Sequence, residues 1–179
     1  MTESEALTEL RRVKDAYRRF IRDNFEFAAK DCGACATFGA CCVDAHFVNV
    51  HITKLEAAAI LQTLQNKLSE AERETVFARV AETIEKYDLS GEGDTFAQTF
   101  ACPLFDKNAG CLVHGEAKPA ACISHACYEN KADLPPACLQ DNATRKIEKL
   151  NREVYKQECV WKPLPIVVAG EIVSRKSAK

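Results

Sequence analysis

The feature that most constrains the fold of this chain is the placement of its ten cysteines among 179 residues. Four of them, Cys32, Cys35, Cys41 and Cys42, lie within "DCGACATFGACCVDAHF", and the last two are direct neighbours. Thiols that are scattered through a core as small apolar side chains do not give C-x2-C and C-C spacings in one segment. The spacing therefore predicts an irregular loop whose thiols act together.

A second group of cysteines follows in "CPLFDKNAGCLVHGEAKPAACISHAC". "KNAG" predicts a turn between Cys102 and Cys111, and Pro119 suits the first turn of a short helix that carries Cys122. We expect Cys122 and Cys127 to lie within one or two helical turns of each other. Together, the two segments supply eight closely grouped thiols.

The overall composition is that of an ordinary globular protein, with 47% hydrophobic residues and a formal net charge of −2. We expect a single domain over residues 1–179, with the cysteine core at about 32–127. The near-neutral charge argues against nucleic acid as a partner. No apolar run is long enough for a membrane helix, and "MTESEALTELRR" does not resemble a signal peptide, so we expect a cytoplasmic protein. Five disulfides are the alternative for the cysteines, but a reducing cytoplasm disfavours them.

The first helix is predicted from the capping box of Thr2 and Glu5 to about Ala29. Its apolar positions recur at three- and four-residue steps and are Leu7, Leu10, Val13, Tyr17, Phe20 and Ile21. The other side carries the basic residues Arg11, Lys14, Arg18 and Arg22. We interpret it as a solvated face, with a docking surface for an acidic partner or RNA as the alternative.

The other elements complete a mainly α fold: a small helical shell around irregular cysteine-rich segments. "HFVNVHIT" predicts a short strand, and the Thr53–Glu56 and Ser69–Glu72 boxes open two antiparallel helices. A further helix is expected from Asp141 or Asn142. The C-terminal "KPLPIVVAGEIVSRKSAK" predicts a short strand or hairpin and a frayed basic tail.

The grouped thiols predict a metal site. The candidate ligands are Cys32, Cys35, Cys41, Cys42, Cys102, Cys111, Cys122 and Cys127. All-thiolate shells suit zinc and iron–sulfur clusters. In extended backbone, Cys41 and Cys42 point to opposite sides, which suits two ions or a polynuclear cluster better than one tetrahedral ion. We favour an iron–sulfur cluster over zinc, while the number of ions and the ligand pairing stay open.

The order of these motifs resembles the YkgJ-type cysteine-cluster family. The resemblance covers residues 32–127: C-x2-C, then C-C, "ITKLE", "CPLF", a Gly-Cys and a Pro-x-x-Cys followed by a further cysteine. It implies a zinc- or iron-chelating CxxCxxCC domain with eight ligand cysteines, and flagellin lysine methylases carry a related cluster. Here five residues separate Cys35 from Cys41 where the family has two, and Lys118 and Ile123 replace two arginines. If those arginines bind an anion in the family, we do not expect the same role at these positions of this chain.

Six further residues are weaker candidates for the metal site or its surroundings. His114 and His125 lie between candidate ligands and could replace one thiolate, whereas His46 and His51 are interpreted as hydrogen-bond donors at the surface or around the cluster. Cys138 and Cys159 lie outside the motif and are interpreted as buried thiols, with a supplementary or redox role as the alternative.

Three functions fit the sequence. The first is a metal-binding protein with a structural or electron-transfer role, in which all eight cysteines are buried. The second is a metal-dependent enzyme for methyl transfer or redox chemistry, with an open metal position. The third is a zinc-stapled adaptor that docks an unidentified protein through the basic N-terminal helix. No Gly-rich cofactor motif or nucleophile elbow appears, so turnover, substrate and oligomeric state stay open.

Overall fold

A computed structural model describes residues 1–30, 38–43 and 48–177. In these ranges the chain is mainly helical, as predicted. The helices are α1 (Glu3–Asn24), α2 (Ala40–Val43), α3 (Lys54–Lys67), α4 (Glu70–Lys86), α5 (Ala120–Ile123), α6 (Ala137–Tyr155) and α7 (Leu164–Ser177). The strands are β1 (His51–Ile52), β2 (Phe105–Asp106), β3 (Gly110–Cys111) and β4 (Lys162–Pro163). None of the helices in the described ranges is long and apolar enough to cross a membrane.

Three helices begin at the predicted capping boxes. In each box the hydroxyl of the residue before the helix accepts a hydrogen bond from the backbone amide of a glutamate three residues later. The side chain of that glutamate accepts a hydrogen bond from the backbone amide of the first residue. The pairs are Thr2 and Glu5 for α1, Thr53 and Glu56 for α3, and Ser69 and Glu72 for α4. The predicted helical hairpin is also confirmed, since α3 and α4 are joined through Leu68 and Ser69.

The largest core cluster packs α3 and α4 against α7. It contains Ile60 and Leu64 of α3, Val80 of α4 and Val168 of α7, each at most 1% exposed. We call α3, α4 and α7 the helical frame. These helices bury apolar area at regular helical spacing, so the hydrophobic effect alone can hold them together.

The C-terminal segment confirms the short strand and adds a helix that the sequence did not predict. Strand β4 pairs antiparallel with β1, with His51 opposite Pro163 and Ile52 opposite Lys162. The residues after β4, predicted to continue as a strand or hairpin and then a frayed basic tail, form α7 instead. Its buried positions Leu164, Val168 and Glu171 recur every three to four residues, so a helical face buries them together.

A second layer joins α1 to α6, with α5 at its end. Leu10 of α1 and Ile147 of α6 share one cluster with Ala120, and Tyr17 and Ile21 share another with Ile123. Helix α6 begins at Ala137, earlier than predicted, because Pro136 precedes it as the cap residue. Helix α1 ends at Asn24, and a 3-10 turn covers the predicted last turn.

The burial pattern of α1 differs from the prediction at two positions. Lys14, predicted on the solvated face, is 1% exposed, whereas Phe20, predicted inside, is 47% exposed. The buried stripe runs through Leu10, Lys14, Tyr17 and Ile21. Lys14 stays inside because it is paired with a buried carboxylate, Glu56.

Candidate metal centre

A tight hairpin positions Cys102 and Cys111. Strands β2 and β3 are antiparallel, with Phe105 opposite Cys111. The predicted turn is confirmed: the Asp106 carboxylate accepts from the amides of Asn108 at 2.8 Å and Ala109 at 3.1 Å. The Phe105 amide donates to the Cys102 carbonyl at 3.2 Å, which folds Cys102 back against the hairpin.

The first cysteine segment docks directly on this hairpin. The Cys102 amide donates to the Cys42 carbonyl at 2.7 Å. The Phe38 and Phe105 rings pack with centroids 5.6 Å apart. Gly39 has φ +74° and lies so close to the Phe105 ring that a Cβ at this position would overlap it. Phe38, Gly39 and Cys42 thus tie residues 38–43 to the second cysteine segment.

Cys41 and Cys42 lie on a helical turn rather than in extended backbone. Both belong to α2, and their Sγ atoms are 4.0 Å apart. The hydrogen bond between the two thiols lowers the pKa of Cys41 to about 6, and the positive charges of His125 and Lys118 act in the same direction. The same hydrogen bond, with burial, raises the pKa of Cys42. One thiol of the pair is therefore disposed to ionise first.

The other central thiols are partly buried. Burial raises the pKa of Cys102 to about 12 and also raises the pKa of Cys111 and Cys122. The charges of Cys102 and Cys111 act on both Cys42 and Cys122, so all four lie within electrostatic reach. The structure thus places five predicted ligands within electrostatic reach of one another, namely Cys41, Cys42, Cys102, Cys111 and Cys122.

A buried ion pair fixes the helix that carries Cys122. The Glu56 Oε1 atom lies 2.8 Å from Lys14 Nζ and accepts from the Ala120 amide at 3.2 Å. Its Oε2 atom accepts from the Thr53 amide at 3.3 Å. Lys14 and Glu56 are at most 1% exposed. One carboxylate therefore joins α1, the start of α3 and the start of α5.

Sequence analysis missed this role of Lys14 and Glu56. Glu56 was interpreted only as a capping residue and Lys14 only as part of a basic face. The available signal was the helical register, because Lys14 lies in line with Leu10, Tyr17 and Ile21. A lysine inside an apolar stripe needs a buried anion.

Cys127 lies at the edge of the site. It is exposed, contrary to the expectation that all eight cysteines are buried. Its carbonyl accepts from the Lys30 amide at 2.9 Å, and Ala29 pairs with Tyr128 in an antiparallel bridge. The end of the first helical segment is therefore attached to the end of the second cysteine segment.

The predicted ligands Cys32 and Cys35, and also His46, lie outside the described residues. Among the residues that the structure does describe, no group of three or more Cys, His, Asp or Glu side chains could hold a metal ion. The cysteines in these ranges are free thiols, so the disulfide alternative gains no support from them.

The remaining histidines differ in their surroundings. His114 and His125 are both exposed, and partial burial with the charges of Lys118 and Arg18 lowers the pKa of His114. His51 is 6% exposed and not at the surface, so that part of its interpretation was wrong. Its Nε2 lies 3.0 Å from Thr95 Oγ1, and its ring stacks on Phe96 at 4.1 Å.

The two cysteines outside the motif differ from each other. Cys138 is exposed at the start of α6, so its interpretation as a buried thiol was wrong. Cys159 is partly buried, and burial raises its pKa to about 11. Cys138 is thus a suitable control for experiments on the grouped thiols.

No protein-family model, curated protein or solved structure matches this chain. The resemblance to the YkgJ-type family stays a prediction, based on motifs within residues 32–127.

Proposed function

We propose that this chain is a metal-binding protein whose cysteines hold an iron–sulfur cluster or zinc in a structural or electron-transfer role. The observation that carries the proposal is the 2.7 Å hydrogen bond between the Cys102 amide and the Cys42 carbonyl. It joins two cysteine segments that are far apart in sequence. Cys41 lies beside Cys42 in α2, and Cys111 lies opposite Phe105 in the hairpin that follows Cys102.

The residues on either side of 31–37 support the proposal that the cysteines in this range are also ligands. Lys30, on one flank, is hydrogen-bonded to Cys127, and Phe38, on the other, packs on Phe105. Both connections lead to the second cysteine segment. We therefore propose that Cys32 and Cys35 complete the ligand set.

The donor chemistry fits the proposed metals. The five grouped thiols are free and lie close enough for their charges to interact. Soft thiolate ligands select zinc and iron–sulfur clusters over magnesium or calcium. Bound metal would supply either a cross-link between the segments or a site for one-electron transfer.

We favour the iron–sulfur cluster because eight candidate thiols exceed the four ligands that one tetrahedral zinc ion takes. The Cys41 and Cys42 thiols, 4.0 Å apart, can also serve neighbouring corners of a polynuclear site. Membership of the YkgJ-type family and a cytoplasmic location belong to the same proposal, since free thiols persist in reducing compartments.

The test is metal and sulfide analysis, with a visible absorption spectrum, of protein purified without air. Iron with matching sulfide would support the cluster, and zinc without sulfide would support the zinc alternative. Cys42→Ser and Cys122→Ser should lose metal, whereas Cys138→Ser, which removes an exposed thiol outside the group, should retain it. Protein without iron or zinc from metal-replete cells would overturn the proposal.

A further inference from the structure

Helices α1 and α6 leave an apolar groove at the surface, and none of the grouped cysteines lines it. Its volume is about 220 Å³. The main lining residues are Val13, Tyr17 and Phe20 of α1 with Leu139, Ala143 and Lys146 of α6. Phe20 forms part of its wall and is 47% exposed. A large aromatic side chain beside an open apolar groove is a feature of interaction surfaces.

The charges of α1 and α6 favour an acidic occupant of this groove: Lys146 lines it, and Arg19 and Arg145 adjoin the lining residues Phe20 and Lys146 in sequence. From Glu9 onward, each carboxylate of α1 is already paired within the helix: Glu9 with Arg12 at 2.6 Å, Asp15 with Arg18 at 2.8 Å and Asp23 with Arg22 at 2.8 Å. In contrast, Arg19 and Lys146 have no carboxylate partner within 4.0 Å in the described part of the chain, and Arg145 donates to the neutral Asn142.

The acidic residues of α6 do not cancel this charge. Glu148 keeps its charge but is directed to the Trp161 indole, from which it accepts at 2.8 Å, and neither residue lines the groove. Glu153 is paired with Lys149 at 3.9 Å. Asp141, whose charge acts on Tyr17, offsets one cation. The groove therefore has an apolar floor and a net positive rim.

We propose that this groove binds an acidic amphipathic helix of a partner protein. Two neighbouring helices offer a third helix a continuous apolar track, and such helices bind through apolar anchors at i, i+3, i+4 and i+7. The anchors would pack on Phe20 and Leu139, while glutamates on the flanks would face the cations on the rim. Complementary charge at a rim sets specificity and association rate. This inference does not rest on metal binding.

The experiment is an NMR titration of the full chain with two synthetic peptides of about 16 residues, long enough to form a helix on the protein. Both carry leucine at i, i+3, i+4 and i+7. One has glutamate at the other positions and the second has lysine. The glutamate peptide should shift amides of Val13, Phe20 and Ala143, and the lysine peptide should bind at least tenfold more weakly, about 1.4 kcal/mol.

Variants locate the interaction. Two variants, Phe20→Ser and the double variant Arg19→Glu with Lys146→Glu, should each lower the affinity for the glutamate peptide by about tenfold. The control is Lys107→Glu, a single charge reversal in an exposed hairpin turn, and it should bind like the wild type. Equal affinity for both peptides, unchanged affinity of the groove variants, or shifts elsewhere would overturn the proposal. So would binding to phosphatidylserine vesicles without binding to the glutamate peptide.

Discussion

The helical frame and the cysteine region are stabilised in different ways. In the frame, Ile60, Leu64 and Val168 are fully buried at regular helical positions. In the cysteine region, defined as residues 38–43, 102–111 and 119–127, α2 has four residues and none of them is buried. A helix of this length is not stable by itself in water.

The contacts that hold α2 are correspondingly few. They are the backbone bond from Cys102 to Cys42, the ring contact of Phe38 with Phe105, and the close approach of Gly39 to that ring. The frame can therefore form by burial of apolar side chains, and the second cysteine segment is anchored by the buried Leu104 and Ala120. No residue of 38–43 is buried, so we infer that this part of the cysteine region needs an additional cross-link. Metal bound by the thiols would provide it.

The largest expected effect is the loss of metal from the cysteine region. Cys122→Ser should abolish stable metal binding and lower the melting temperature by about 10 °C or more, because a structural metal contributes on the order of 10 kcal/mol to folding. Cys138→Ser, at an exposed thiol, should melt like the wild type. An unshifted transition after verified metal removal would show that metal does not hold this region.

The next effect tests the link between the two regions. Glu56→Gln should destabilise the protein by about 3–5 kcal/mol, because it leaves the buried Lys14 ammonium without its anion. Denaturant unfolding measures this change. The double variant Lys14→Met with Glu56→Gln should recover most of the loss, since no charge then stays buried. A single variant within about 1 kcal/mol of the wild type would contradict the role of this pair.

A smaller effect is expected at the contact between the two cysteine segments. Gly39→Ala should cost about 1–3 kcal/mol and weaken metal binding, because the new Cβ meets the Phe105 ring. Gly93→Ala is the matched control: Gly93 also has a positive φ, of +73°, but nothing lies within 4 Å of its Cβ position. If the two variants bind metal equally well, the close approach at Gly39 does not position the thiols.

The smallest expected effect concerns pH and the frame. Burial lowers the pKa of His51, so the unfolded state binds more protons than the folded state once the pH falls below the ordinary histidine value of about 6.5. The contribution of His51 to the free energy of unfolding is thus fully present above that pH, and it is lost as the pH falls toward the lowered pKa. His51→Gln should flatten the loss of stability between about pH 7 and pH 5 in denaturant unfolding. A slope identical to that of the wild type would exclude His51 as its source.

The parts of this fold that depend on neighbouring residues were predictable from the sequence. Capping boxes such as Thr53–Glu56 and the Asp106 turn act over three residues, so their sequence patterns were sufficient. Helix α7 was missed because a short apolar run such as "PIVVAG" suits a strand and a buried helix equally well.

Long-range pairings could not be predicted in the same way. The grouping of the cysteines was expected from their chemistry, but nothing local specifies that the Cys102 amide bonds to the Cys42 carbonyl. Similarly, the burial of Lys14 depends on Glu56 in another helix, and Phe20 is exposed because α6 does not cover it. Such positions depend on how whole helices pack together.

The most direct test of the account is amide hydrogen–deuterium exchange of the protein as purified and after metal removal by a chelator. We predict that protection falls in residues 38–43 and at the Cys102 amide, which donates to the Cys42 carbonyl, while α3, α4 and α7 keep theirs, since burial alone holds the frame. Unchanged protection in the cysteine region after verified metal removal would contradict the claim that metal holds its two segments together.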